Sequence, residues 1–174
     1  MTENEHTCQP YDSRPETLLH SLRVGALMTD MLTEGMRRAV EHDLSKTRPP
    51  ELEAFDRVTP ILKTLAYGSD AYEESRESIA DALDHHYTHN RHHPEHHENG
   101  IRGMTLVDLM EMIADWRAST ERMAPGTGDL RVSIINNMKR FGYGDDVACI
   151  LLATAEHFGW LAPAGDNPAG EGAS

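Results

Sequence analysis

Cysteine is nearly absent, with only Cys8 and Cys149 among 174 residues. One thiol in a polar tail and one in an apolar run make no disulfide framework, and the expected home is a reducing cytosol. No apolar stretch approaches the ~20 residues that span a bilayer. The opening Met-Thr-Glu-Asn-Glu-His is polar and acidic, unlike the basic-then-apolar start of a signal peptide. Positive charge is scarce as well: 16 Lys and Arg against 29 Asp and Glu leave a net charge of −13. That field repels phosphate backbones and anionic membranes, so neither a nucleic-acid polymer nor a membrane is an expected partner. A small anion is still admissible, because a bound divalent ion reverses the local sign.

Strand patterning and internal repeats are missing too, and the apolar residues recur at helical spacing. The reading is all-α, a single-domain bundle of about six or seven helices over residues 13–161, with a flexible tail at 1–12 and a Gly/Ala/Pro-rich disordered tail at 162–174. Asp12 or Ser13 caps a helix with Pro15 and Glu16 in its first turn. Gly35 is expected to break or bend it near Glu34, leaving Met36–Asp43 as a second short helix. Pro49-Pro50 precedes a helix over Glu51–Leu65 kinked at Pro60, and a Tyr67–Asp70 turn leads to one over Ala71–Thr88. Asn90–Gly103 reads as a loop. Thr105 caps a helix to about Met123, and after a Pro125-Gly126 turn come helices near Leu130–Phe141 and Asp145–Phe158. Whether the apolar run Cys149–Leu152 serves core or a homo-oligomer is left open.

What the chain has in abundance is histidine, 11 in all, seven of them between His85 and His97. Before that cluster stands His42-Asp43-Leu44-Ser45-Lys46, whose adjacent imidazole and carboxylate can reach one ion. His20 heads the stripe His20, Val24, Leu27, Met31 and so points with the apolar face. Taken alone it reads more readily as a core histidine bonded to a carbonyl. His86 shares a face with Ile79 and Leu83, and His85 shares one with His89. His92, His93, His96 and His97 flank Pro94, and of the loop set His93 is preferred as a ligand, with His86 from the helix. Asp108, Glu111 and Asp115 form an acidic stripe that, for the first two, reads equally well as a solvated face.

The order His20, His42-Asp43, Asp115, centred on HDLSK, resembles the HD-domain superfamily of metal-dependent phosphohydrolases. The resemblance implies a helical bundle and a first metal shell of His20, His42, Asp43 and Asp115, with His86 and His93 as ligands of a second ion. HDLSK, HHYTHNRHHPEH and EMIADW are also similar to an uncharacterised family of small phage and bacterial proteins, over roughly residues 18–122. That similarity is why Asp115 outranks its acidic neighbours. Ser45 stands where HD enzymes commonly have glycine, and the lysine is retained.

The resemblance implies a cytoplasmic hydrolase of a small phosphate ester or anhydride, most plausibly a nucleotide. One or two divalent ions (Mn, Fe, Co, Ni, Zn or Mg) would polarise the phosphoryl group and acidify water. Asp43, Lys46 and His86 are the expected catalytic residues, with Asp43 orienting water and His86 protonating the leaving oxygen. His85, Asn90, Arg91, Arg102 and Glu111 are candidates for substrate contact or for supporting the ligands. Two other readings stand beside this one: a di-iron oxygenase on the same fold, and a non-catalytic phage protein that binds a nucleotide or a partner.

Overall fold

The computed structural model describes residues 11–65, 68–122 and 128–161. Among them seven α-helices and no strand occur. The expected tails (1–10 of the first, with Cys8, and all of 162–174), Tyr67 and the Pro125-Gly126 turn lie outside the described residues.

Helix α1, Arg14–Glu41, starts after Ser13 with proline in its first turn and runs unbroken through Gly35. The expected break fails because the penalty is small and the anchorage is large. An interior glycine costs about 1 kcal/mol. Against it, Arg37 pairs with Glu34 and Glu41 on the same helix, and Arg38 is fastened to Asp108 and Glu111 across the bundle. His42 caps the helix, and Asp43 turns the chain with φ 57° into a 3₁₀ turn over Leu44–Thr47.

Helix α2, Glu51–Leu62, follows the proline pair and ends three residues early, since Pro60 removes a donor from its last turn. The single helix expected over Ala71–Thr88 is two: α3, Asp70–Glu77, and α4, Ala80–His89. The division falls at Ile79 (φ −124°, ψ 27°), whose side chain is buried beside Val58 and Ala82. The histidine-rich segment is less irregular than expected, with 3₁₀ turns over Pro94–His96 and Gly100–Gly103.

Helix α5, Leu106–Glu121, opens on a capping box in which Thr105 and Asp108 each bond the other's backbone. Helix α6, Leu130–Phe141, is capped by Asp129 and closed by Gly142 at φ 64°. Helix α7 spans Asp145–His157. None of the described helices is long and apolar enough to cross a membrane.

Two apolar clusters hold the bundle. Met112, Ile113, Leu130, Ile134, Leu151 and Ala155 join α5, α6 and α7. Val58, Ile79 and Ala82 join α2 to α4. In the apolar run on α7, Leu151 is core while Ile150 is exposed. The end of α1, the Leu44–Thr47 turn, the start of α2, the end of α4 and α5 converge on one polar region.

Candidate metal centre

Asp43 is the one non-glycine described residue with positive φ. A left-handed turn is tolerated by Asp at modest cost and re-aims the carboxylate off the axis of α1. Its Oδ1 lies 3.4 Å from His86 Nε2 and 3.6 Å from His92 Nε2. His86 Nε2 is in turn 2.9 Å from His93 Nε2. Asp43, His86, His92 and His93 thus form a group whose ligand atoms all lie within 4.8 Å of one another. Atoms about 2.1 Å from a common ion stand about 3.0–3.4 Å apart. The 2.9 and 3.4 Å separations lie at the edges of that range, and the 3.6 Å one falls just outside it.

The hydrogen-bond accounting agrees. Asp43 Oδ1 and both ring nitrogens of His92 are buried and without a hydrogen-bond partner, and His92 is 1% exposed. A buried polar atom left unpaired is costly, and one ion would satisfy Asp43 Oδ1 and His92 Nε2 together, while His92 Nδ1 faces Glu111. His93 is neutral, its pKa pushed down to about 2 by burial and then by His92. Burial, followed by the nearby Lys46 ammonium, lowers His86 as well. Neutral imidazoles are the form that binds metal.

Behind the ligands stand carboxylates. Glu51, fully buried at the first turn of α2, accepts from His85 Nδ1 at 2.7 Å, His86 Nδ1 at 2.8 Å and Ser45 Oγ at 2.9 Å. Burial alone would raise its pKa, but these three donors outweigh it and hold the carboxyl below its usual range. Glu51 therefore fixes the proton of His86 on Nδ1 and leaves Nε2 to face Asp43. Asn90 Nδ2 donates to Ser45 Oγ and to the His86 carbonyl, bracing the same ring.

Glu111 does the same from α5, accepting from His42 Nδ1 at 2.9 Å and lying 3.1 Å from His92 Nδ1. His42, His92 and Glu111 also satisfy the geometric test for an ion. The Arg38 guanidinium, 2.5 Å from Glu111 Oε2, opposes a second cation there. Asp108 is completely buried, paired with Arg38 at 2.6 Å and Arg91 at 3.1 Å. Of the two readings left open for the acidic stripe, the solvated face fails for both residues, because each neutralises a cation arriving from another element.

His42 Nε2 lies 3.6 Å from Asp115 Oδ1 and 3.7 Å from Asp43 Oδ2. Hydrogen bonds to Asp115 and Glu111, against burial, raise the His42 pKa to about 10. Asp43 thus offers one oxygen to the histidine group and the other towards His42 and Asp115. Lys46 Nζ reaches Asp43 Oδ2 at 2.7 Å and lies over the Phe55 ring. Burial would raise Asp43, but the charge and hydrogen bond of Lys46, joined by the charges of His42 and His86, together outweigh it and lower its pKa.

His20 is not part of the centre. It is exposed on α1, the same helix that ends at His42, and 22 residues of α-helix separate the two by about 33 Å. The expectation came from the HD-domain resemblance, and the unbroken α1 keeps the two histidines apart. Without the break, the apolar face that His20 shares has no body of the protein to point into. Arg102 is exposed on the second 3₁₀ turn and makes no contact with the centre among the described residues.

The structure brings together His42, Asp43, Lys46, His86, His93, Glu111 and Asp115, all legible from the sequence, and adds His92 and Glu51. His92 sits in a loop, where no periodicity tells which way a side chain points. Its one signal was the His92-His93 doublet itself. Glu51 looked like an ordinary acidic first-turn residue and carried no signal. His96 and His97 bond backbone carbonyls of Tyr87 and Arg91 and shape the loop.

A model of a family described as "Family of unknown function (DUF5662)" matches residues 9–157. No curated protein and no solved structure matches the chain.

Proposed function

The chain belongs to that family of unknown function, and we propose that it is a metal-dependent phosphohydrolase acting on a small phosphate ester or anhydride, a nucleotide being the leading class. The observation that carries this reading is the buried convergence of Asp43, His86, His92 and His93 on a point that protein atoms leave unsatisfied. A divalent ion, when bound, supplies Lewis acidity towards a phosphoryl oxygen and acidifies water. Three imidazoles and a carboxylate favour a transition ion over Mg²⁺, which prefers an oxygen shell.

The residues divide the remaining work. Asp43, with its two oxygens facing the two halves of the site, holds the ion and orients water. His42 and Asp115 line the second half, with His42 held protonated between Asp115 and Glu111; the expected His20 is replaced by nothing from the described chain. Lys46, one-third exposed and beside Asp43, is placed to neutralise charge gathering on the phosphoryl oxygens. Arg91 is half exposed but already committed to Asp108, so its role is to hold the loop.

The test is phosphate release from a panel of nucleotides and phosphoesters by metal-loaded protein, in parallel with Asp43→Asn. Wild type is expected to turn over one class, and the variant to lose about 10³-fold or more. Equal release by both sinks the hydrolase reading. The nitrogen-rich site suits iron too, so oxygen uptake by anaerobically iron-loaded protein, with no phosphate released from any substrate, would favour an oxygenase instead.

A further inference from the structure

Helix α1 leaves the body of the protein. Every described residue from Tyr11 to Thr33 is exposed, and the helix is fastened to α5 near its end, at Arg38 and His42. Ten large apolar side chains of α1, from Leu18 to Val40, are between 39% and 76% exposed. Scattered apolar residues on a surface need no explanation, but a contiguous set of this size on one helix marks an interaction site.

The pattern is more specific than apolar character. Leu18, Leu22, Gly25, Thr29, Leu32 and Met36 follow spacings of 4, 3, 4, 3 and 4, the seam of a two-helix coiled coil. Glu16, Arg23, Asp30, Glu34, Arg37 and Glu41 gather on a sector away from it. Along the seam the sizes run large, large, small, small, large, large. That order reads the same in both directions, as a surface must if it is to meet its own copy across a twofold axis. Antiparallel pairing sets Leu18 on the partner's Met36, Leu22 on the partner's Leu32 and Gly25 on the partner's Thr29.

Two further observations favour a second copy as the occupant. Gly25 lies in the seam and Gly35 beside it, and a side-chain atom added at either would meet nothing within 4 Å. Glycine inside an exposed helix is otherwise a cost of about 1 kcal/mol, offset where another backbone approaches closely. Charge points the same way. The chain as a whole carries −13, yet Arg14–Glu41 holds four arginines (14, 23, 37, 38) and four acids (16, 30, 34, 41) and sums to zero. Two copies repel one another over most of their surfaces and can meet along α1 without that penalty.

We propose that α1 is a homodimerisation helix, pairing antiparallel with α1 of a second copy across a twofold axis near Leu27. Sedimentation of the full chain is expected to give twice 19.5 kDa. Leu22→Glu and, separately, Leu32→Glu should weaken association at least about 100-fold while leaving helical content and Zn²⁺ binding unchanged, since neither residue touches the body. With Cys8 and Cys149 replaced by Ser, a mixture of Leu18→Cys and Met36→Cys chains should form an intermolecular disulfide that Leu18→Cys alone does not. In this register two Leu18 positions stand about 27 Å apart. A wild type that is monomeric at every concentration overturns the proposal. So does a dimer indifferent to both glutamates, a Leu18→Cys chain that cross-links to itself, or a stable complex with a different protein in place of the homodimer.

Discussion

The Nε2 atoms of His86 and His93 stand 2.9 Å apart, while Glu51 takes the Nδ1 proton of His86 at 2.8 Å. Because Glu51 is an ionised acceptor, His86 Nε2 carries a lone pair. A second imidazole that close must either donate a proton to it or share a cation with it. Asp43 Oδ1, 3.4 Å away and unpaired, and His92 Nε2, 3.6 Å from that oxygen, complete a group that could hold such a cation.

The first expectation separates this group from the ligand set suggested by residue order. Calorimetric titration of metal-free protein with Zn²⁺ or Mn²⁺ should show His92→Ala weakening the tighter site by at least about 100-fold. His20→Ala should leave it unchanged. Equal losses in both variants would mean that His20 reaches the ion by a route the continuous α1 forbids.

Glu51 is expected to matter without touching the ion. Supporting carboxylates behind a metal-bound histidine contribute about 10–100-fold in affinity. Glu51→Gln is nearly isosteric but puts an amide where two imidazole donors need an acceptor. Metal affinity should fall within that range while the metal-free protein keeps its circular dichroism. If affinity is untouched, the proton on His86 is held by something other than Glu51.

How much of this was readable beforehand depended on which physical signal each residue carries. The bounds of α5 and α6 are legible almost to the residue from the Thr105 cap and the helical apolar spacing; Asp129 and Gly142, unread in the sequence, close the ends of α6. His86 was legible because helical periodicity set it beside Leu83. Asp43 was legible from its adjacency to His42, and Asp115 from motif resemblance; Asp43 stands in the histidine group and Asp115 beside His42. His20 rested on resemblance as well, and the unbroken α1, clamped at Arg38, holds it away from the centre. Ile79 split a helix because its burial outweighed continuity, a tertiary effect invisible in local spacing. Asp108 was hidden for the same reason, since its partners Arg38 and Arg91 lie 70 and 17 residues away.

Arg38 is the joint between α1 and the site. Its side chain is 8% exposed and faces two carboxylates, Asp108 and Glu111. Removing one partner of a buried pair leaves the other charges uncompensated, a loss of about 3–5 kcal/mol. Arg38→Ala should lower the urea midpoint accordingly. It should also loosen His42, which shares Glu111, so metal affinity falls in the same variant. A stability change near zero would mean that water already solvates this cluster.

Acid unfolding should report on Asp108. Burial alone would raise its pKa from 3.8, but hydrogen bonds from Thr105 and pairing with Arg91 and Arg38 outweigh it and hold the folded carboxyl far below that value. A group whose folded pKa is depressed stabilises the native state fully above its unfolded pKa, and the contribution disappears as pH falls through the folded one. Metal-free wild type and Asp108→Asn, compared by urea denaturation, should therefore differ by a constant amount above about pH 5. The gap should narrow steadily below about pH 4, where protonation makes the native residue resemble its amide. The direction matters: if the gap instead widens on acidification, Asp108 would have to be the protonated member of its cluster, and both guanidinium pairs would be misassigned.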